Sequence, residues 1–116
     1  MSVCAPIVEA LRAVRFNYGD EDRLQEGIAA ALAAVGFDVE REVRLSARDR
    51  IDLLVGRVGI EVKVAGSPGS VANQLLRYAK SDRIDGLVLV TSRVRHLAPM
   101  VLGKPIEVVQ LAGAGL

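Results

Sequence analysis

The chain has 116 residues, of which 51% are hydrophobic and 25% are charged, and its formal net charge is +1. This length predicts a single domain, residues 1–116, and this hydrophobicity excludes an intrinsically disordered chain. Aromatic residues make up only 3%, so we expect a core built from Val, Leu, Ile and Ala. Because basic and acidic residues nearly balance, the net charge by itself does not indicate a nucleic-acid partner.

The cysteine count and the lengths of the apolar stretches indicate the cellular compartment in which the protein works. Cys4 is the single cysteine, which excludes an internal disulfide and favours a reducing compartment. The first 15 residues lack the apolar core and cleavage site of a signal peptide. The longest apolar stretch, Ile28 to Phe37, is far shorter than the roughly 20 residues that span a bilayer. We therefore expect a cytoplasmic protein with no membrane association.

Two helices are predicted ahead of the first strand. Helical spacing of apolar residues predicts a short N-terminal helix, residues 5–16. Asp20 is a suitable N-cap for a second helix, and the acidic residues that follow it suit the helix dipole. This helix is expected to run to Val35 and to end at Gly36. The core of the predicted domain spans about residues 20–111.

Three strands are predicted next. In Phe37 to Leu45, apolar residues alternate with charged ones, although Arg41 interrupts the apolar face. That predicted face consists of Phe37, Val39, Val43 and Leu45. The segments Arg50 to Val55 and Val58 to Val64 are expected to form a hairpin around Gly56-Arg57.

The second half of the chain alternates helix and strand. A third helix is predicted from near Pro68 to about Ser81, preceded by a flexible turn, residues 66–70. The apolar run Gly86 to Thr91 is typical of a strand buried on both faces. Val94 to Leu102 is expected to form a short turn or helix, Ile106 to Leu111 a last strand, and residues 112–116 a frayed tail. The order α-α-β-β-β-α-β-α-β predicts an α/β domain with a mixed sheet flanked by helices.

The hairpin concentrates charged side chains. A two-residue loop at Gly56-Arg57 places Asp52 opposite Glu61, and a loop one residue further along places it opposite Lys63. Either register projects all three side chains from one face. The other face is predicted to be apolar and consists of Ile51, Leu53, Val55, Ile60, Val62 and Val64.

Two carboxylates about 5 Å apart on neighbouring strands repel each other. A divalent cation would remove the repulsion, and Mg²⁺ accepts one or two carboxylates together with water and substrate phosphate. Asp52, Glu61 and the carbonyl of Val62 are the candidate ligands, while Lys63 would stabilise a hydroxide nucleophile or the scissile phosphate. The alternative is a structural cross-strand salt bridge between Lys63 and one of the carboxylates.

The segment from Asp20 to Ser92 resembles the PD-(D/E)xK nuclease superfamily. In that family an acidic helix precedes a strand ending in Asp, then a strand carrying ExK, then a helix and a strand. Asp52 and Glu61-Val62-Lys63 match the core motif, although Ile51 replaces its proline. Gln74 and Tyr78 are similar to the QxxxY motif of RecB-type members and lie one turn apart on one helix face.

The resemblance implies a restriction-endonuclease-like fold, DNA as the partner, and Mg²⁺ as cofactor, with Mn²⁺ able to substitute. It also implies that Gln74 and Tyr78 orient the lysine, the water or the DNA backbone. The family places a glutamate on the first core helix. Glu21 lies on the core-facing stripe and Glu26 faces away, so Glu21 is the predicted direct or water-mediated ligand, its alternative role being helix stabilisation.

Several arginines flank the hairpin, and Arg50 is the one we predict to bind substrate. The candidate phosphate-contact set is Arg41, Arg44, Arg48, Arg50 and Arg57. His96, the single histidine, and Cys4 do not support a histidine metal cluster or a cysteine nucleophile.

The expected function is Mg²⁺-dependent hydrolysis of DNA phosphodiesters by a small endonuclease, similar to Holliday-junction resolvases of recombination or repair, and encoded by a cell or a phage. One alternative is a RecB-type exonuclease domain that works with a larger recombination or replication partner. A second is a catalytically idle DNA-binding module, and a third is a plain α/β interaction domain. A homodimer is expected, with Val101-Leu102 and Ile106 to Leu111 as interface candidates.

Overall fold

A computed structural model describes residues 2–17, 19–64, 68–93 and 97–111. Within these ranges the chain forms three helices and six strands. The helices are α1 (Ala5–Arg12), α2 (Glu21–Ala34) and α3 (Pro68–Ala79). The strands are β1 (Val39–Arg44), β2 (Arg50–Val55), β3 (Val58–Lys63), β4 (Gly86–Thr91), β5 (Met100–Val101) and β6 (Lys104–Gln110). The predicted α/β class with a mixed sheet is confirmed.

The strands lie in the order β1-β2-β3-β4-β6-β5. The β1–β2, β2–β3 and β5–β6 pairs are antiparallel, whereas β3–β4 and β4–β6 are parallel. α3 connects the end of β3 to the start of β4, as a parallel pair requires. Because β4 pairs with β3 on one side and with β6 on the other, it is a central strand, and all six of its residues are buried.

Two hydrophobic clusters cover the two faces of the sheet. On one face, α1 and α2 contribute buried residues such as Leu11 and Ile28 to a cluster with Leu53 and Ile60. On the other face, α3 packs through buried residues that include Leu75 and Tyr78. The domain is therefore layered helix–sheet–helix, and among its described residues no helix is long and apolar enough to cross a membrane.

The boundaries of α2 follow from its capping residues. The Asp20 carboxylate accepts a hydrogen bond from the amide of Asp22 at 2.9 Å, and Gly36 takes a positive φ of 100° beyond the last turn. The helix thus begins and ends as predicted, to within a residue. By contrast, α1 ends at Arg12 rather than Phe16: Val14 is exposed, and Phe16 reaches the core from a non-helical segment.

The predicted apolar face of β1 is wrong. Phe37 and Val39 pack on the α1–α2 side of the sheet, whereas Val43 and Leu45 pack on the α3 side. Glu42, which separates the two groups, has a φ of 51°, and this left-handed residue breaks the two-residue alternation of a regular strand.

The hairpin face predicted to be wholly apolar is also wrong at one position. Ile51 lies on the α3 side with Leu54, not with Leu53 and Val55. Glycine at position 59 leaves the space that Ile51 fills, since a Cβ there would collide with the Ile51 side chain. A glycine gives no apolar signal in a sequence pattern, so the alternation rule could not reveal this packing.

The segment after β4 also departs from expectation. Met100–Val101 forms a short strand that pairs with Pro105 and Lys104, in place of the predicted turn or helix. Leu102 and Gly103 form the connecting two-residue turn, with φ values of 53° and 73°, as the twist of a tight hairpin requires. Residues 94–96 of that prediction, residues 66–67 of the predicted flexible turn, and the predicted tail 112–116 lie outside the described residues.

Candidate active site

The two carboxylates lie where the backbone pairing of β2 and β3 stops. Leu53 and Ile60 form the last paired position on this side of the hairpin. Beyond this position, bonds from backbone amides to side-chain carboxylates replace the backbone pairing. The Val62 amide donates to Asp52 Oδ2 at 2.8 Å, and the Asp52 amide donates to Glu61 Oε1 at 3.4 Å. The register is that of a Gly56-Arg57 loop, and each carboxylate is held by the backbone of the neighbouring strand.

Glu61 is only 2% exposed, so the hairpin does not present it on an open face as predicted. Burial, followed by the negative charge of Asp52, raises the pKa of Glu61 to about 8. Burial likewise raises the pKa of Asp52. Both carboxylates therefore ionise against the cost of desolvation, and a cation placed between them would offset that cost.

Lys63 provides one positive charge to this pair. Its Nζ lies 3.9 Å from Glu61 Oε2, and its side chain is 28% exposed, against 3% for that of Glu61. The ammonium thus lies between the buried carboxylate and the surface. This distance is at the outer limit of an ion pair. The single ammonium offsets only one of the two negative charges that ionised Asp52 and Glu61 would carry.

Glu21, in the first turn of α2, reaches the same edge of the sheet. Its Oε1 accepts a hydrogen bond from the Val64 amide at 2.9 Å, and its charge contributes to raising the pKa of Asp52. Glu26 is exposed. The structure therefore brings Glu21 to the carboxylate pair and leaves Glu26 outside it, while the ligand role of Glu21 stays a prediction.

Gln74 and Tyr78 of α3 contact each other, as their spacing requires. Gln74 Nε2 donates to the Tyr78 hydroxyl at 2.8 Å, and that hydroxyl donates to the Arg50 carbonyl at 3.1 Å. Tyr78 is 1% exposed, and burial, with the charges of Glu61 and Asp52, raises its pKa. Because the phenol is buried and bonds the Arg50 carbonyl, Tyr78 fixes the start of β2, two residues from Asp52, and its contact with substrate stays a prediction.

The predicted arginine set does not converge on one place. Arg57 pairs with Asp85 at 2.7 Å, and it lies in the β2–β3 turn at the far end of the strands from Asp52. Arg41 donates to Gln25 of α2 at 3.3 Å. Arg50, by contrast, is exposed near the carboxylates, with its guanidinium 3.6 Å from Glu42.

A contact that the sequence did not reveal joins the β1–β2 turn to α3. Arg77 Nε donates to Asp49 Oδ1 at 2.9 Å, and the Asp49 side chain is only 13% exposed. The 28 residues that separate the two carry no pattern that would have paired them. This ion pair holds the turn against the helix beside Tyr78.

The donor set suits a hard divalent cation. Asp52 and Glu61 offer carboxylate oxygens, which Mg²⁺ accepts, while the Val62 carbonyl stays a predicted ligand. Within the described ranges no group of three or more His, Cys, Asp or Glu side chains is arranged to hold a metal.

Comparison with models of protein families, with curated proteins and with solved structures gave no significant match.

Proposed function

We propose that this protein is a Mg²⁺-dependent deoxyribonuclease that hydrolyses phosphodiester bonds with a metal-activated water. The observation that carries the proposal is the pair formed by buried Glu61 and half-buried Asp52, held by reciprocal side chain–backbone hydrogen bonds beside Lys63. Two adjacent carboxylates whose pKa values are raised by burial are costly in a purely structural role and are common where function requires them.

The element order also supports the proposal. α2, the β1–β2–β3 meander, α3 and β4 follow one another in the order that the resemblance to PD-(D/E)xK nucleases implies. We therefore assign the finer fold, a restriction-endonuclease-like core, to this chain as part of the same proposal.

Each residue has a defined task in the proposed reaction. Asp52, Glu61 and the Val62 carbonyl would hold Mg²⁺, with Mn²⁺ as substitute; when bound, the ion supplies an acidified water and neutralises charge on the phosphate. Lys63 stabilises the negative charge of the nucleophile or of the pentacovalent phosphate by its ammonium. Glu21 positions the end of β3 by binding the Val64 amide, and Tyr78 fixes β2.

One observation favours a different function. The contact between Lys63 and Glu61 is also what a structural salt bridge would show, in a catalytically idle module or a plain interaction domain. An exonuclease domain of RecB type would use the same site. It would cut from a DNA end instead of within the strand, and it would work within a larger assembly.

A panel of labelled duplex, single-stranded, flap and four-way-junction DNAs tests the proposal in Mg²⁺ and in Mn²⁺. Asp52→Asn and Glu61→Gln should each lower cleavage by at least 10²–10³-fold. The matched controls Asp38→Asn and Glu26→Gln alter exposed carboxylates and should cleave as the unaltered protein does. Absence of cleavage on every substrate, or more than about 1% residual activity in both site variants, would overturn the nuclease assignment.

A homodimer remains part of the proposal, with a corrected interface. Ile106, Val109 and Leu111 are buried in the two cores, so they are not free to bind a second copy. Met100 and Leu102 are 56% and 59% exposed, and we assign the contact to them. Light scattering should give twice the 12.4 kDa chain mass, and a monomer mass with and without DNA would reject it.

A further inference from the structure

A basic cleft lies between the β1–β2 turn and the C-terminal part of α3. Its volume is about 310 Å³. Its polar lining comes from Ser46, Arg48 and Asp49 of the turn and from Arg77, Lys80 and Ser81 at the end of the helix. None of these residues has a task in the proposed reaction.

Hydrogen bonds fix the turn side of the cleft. Ser46 Oγ accepts from the amides of Arg48 and Asp49 at 3.2 and 3.1 Å. The Asp49 carbonyl accepts from the Leu45 amide at 2.8 Å, and the Asp49 carboxylate binds Arg77 at 2.9 Å. The Asp49–Arg77 ion pair thus joins the turn to the helix across the cleft, so the backbone of the turn and the Arg77 side chain are held in place before any ligand binds.

The charges around the cleft do not cancel. Asp49 is the single carboxylate of the lining, and Arg77 already binds it. In the described part of the chain, the side chains of Arg48 and Lys80 make no hydrogen bond or ion pair, and both residues are exposed. Two uncompensated cations beside a third that is already positioned form a site for an anion, and guanidinium groups suit phosphate oxygens in particular.

Further cations lie between the cleft and the carboxylates. Arg44 and Arg50 are paired across β1 and β2, and both are exposed. Glu42 lies 3.6 Å from the Arg50 guanidinium and offsets one of these two charges. Asp49 is three residues from Asp52, so their Cα atoms are at most about 11 Å apart. One strand of duplex DNA advances about 3.4 Å per nucleotide, so this distance corresponds to at most about three nucleotides. An extended line of cations favours a polymeric anion over a small one.

We propose that this cleft binds the sugar–phosphate backbone of DNA within about three nucleotides of the bond that is cut. The inference rests on the proposed nuclease function, and it identifies Arg48 and Lys80 as positioning residues. They neutralise phosphates and set the register of the strand on the carboxylate site without touching the reacting atoms.

Salt-dependent binding of a labelled DNA duplex, measured by fluorescence anisotropy in EDTA, tests the proposal without cleavage. The double variant Arg48→Ala/Lys80→Ala should bind at least about tenfold more weakly at low salt. Its slope of log affinity against log salt should be smaller by about 1.8, which is 0.9 for each lost phosphate contact. Circular dichroism melting confirms that the variant folds.

The matched control is Arg15→Ala/Arg23→Ala, which removes two exposed charges on the other side of the sheet. It should leave the slope unchanged. An unchanged slope in the cleft variant, an equal change in the control, or no binding of DNA by the unaltered protein would overturn the proposal. If the cleft variant loses binding of inorganic phosphate but binds DNA as the unaltered protein does, the proposal is also overturned, and the cleft is a site for a small anion instead.

Comparing DNA binding by the cleft variant with cleavage by Asp52→Asn distinguishes failure of the cleft proposal from failure of the nuclease assignment. If the cleft variant loses DNA affinity while no substrate is cut in Mg²⁺, the cleft is a DNA-binding surface and the nuclease assignment fails. If Asp52→Asn abolishes cleavage while the cleft variant binds DNA like the unaltered protein, the nuclease assignment holds and the cleft proposal fails.

Discussion

Replacing Glu61 by glutamine should make the metal-free protein more stable, and increasingly so as the pH rises. Glutamine keeps the shape of the side chain and an oxygen that can accept from the Asp52 amide, but it carries no charge into the buried site. The change therefore removes the cost of ionising a carboxylate that is 2% exposed and leaves the packing in place.

The magnitude follows from the pKa of Glu61, which rises from an ordinary value of 4.5 to about 8 in the folded protein. Between these two values the folded state holds a proton that the unfolded state has released. The contribution of Glu61 to the free energy of unfolding therefore falls as the pH rises through this window and is constant outside it. At about 1.4 kcal/mol per pKa unit, the full loss is about 5 kcal/mol.

Urea denaturation in EDTA at several pH values from 4.5 to above 8 measures this effect. Glu61→Gln should match the unaltered protein at pH 4.5 and exceed its free energy of unfolding by several kcal/mol above pH 8. Glu26→Gln, at an exposed position, should follow the unaltered protein throughout. Saturating Mg²⁺ should reduce the gain, because the cation stabilises the ionised carboxylate. Parallel pH profiles for Glu61→Gln and the unaltered protein would refute the reasoning.

Three further substitutions have distinct expected outcomes. Lys63→Ala should lose turnover while retaining DNA binding, measured on one preparation; a lowered melting temperature with activity that follows the folded fraction would instead indicate a structural salt bridge. Tyr78→Phe should lower the free energy of unfolding by about 1–3 kcal/mol, because the Arg50 carbonyl loses its buried donor; an unchanged denaturation midpoint would show that this bond adds no stability. Gly59→Ala should cost about 1–3 kcal/mol, because its Cβ would overlap the Ile51 side chain, and a neutral effect would mean that the core repacks freely.

Local sequence rules predicted the parts of the fold that local chemistry determines. The Asp20 cap and Gly36 set the ends of α2, and the apolar run 86–91 identified the central strand β4. The prediction of the β1 face failed at Glu42, because a single left-handed residue reverses the alternation without changing the composition. The β5–β6 hairpin was missed because its turn begins with Leu102, which is not a typical residue for positive φ.

The candidate site was predictable to a similar extent. Strand parity placed Asp52 and Glu61 together, and helical spacing placed Gln74 beside Tyr78. The burial of Glu61 was not predictable, since it depends on α3 covering a face of the hairpin that the pattern alone left open. The Asp49–Arg77 ion pair required the tertiary structure, because neither residue lies on a recognisable motif.

Calorimetric titration of the protein with Mn²⁺ and with Mg²⁺ tests most directly whether Asp52 and Glu61 bind a divalent cation. We expect one binding site that is lost in Asp52→Asn and in Glu61→Gln and retained in Glu26→Gln. We also expect that at pH 7 binding releases a proton, since Glu61, with a pKa of about 8, must ionise to become a ligand. The absence of binding, or equal binding by all four proteins, would contradict this expectation.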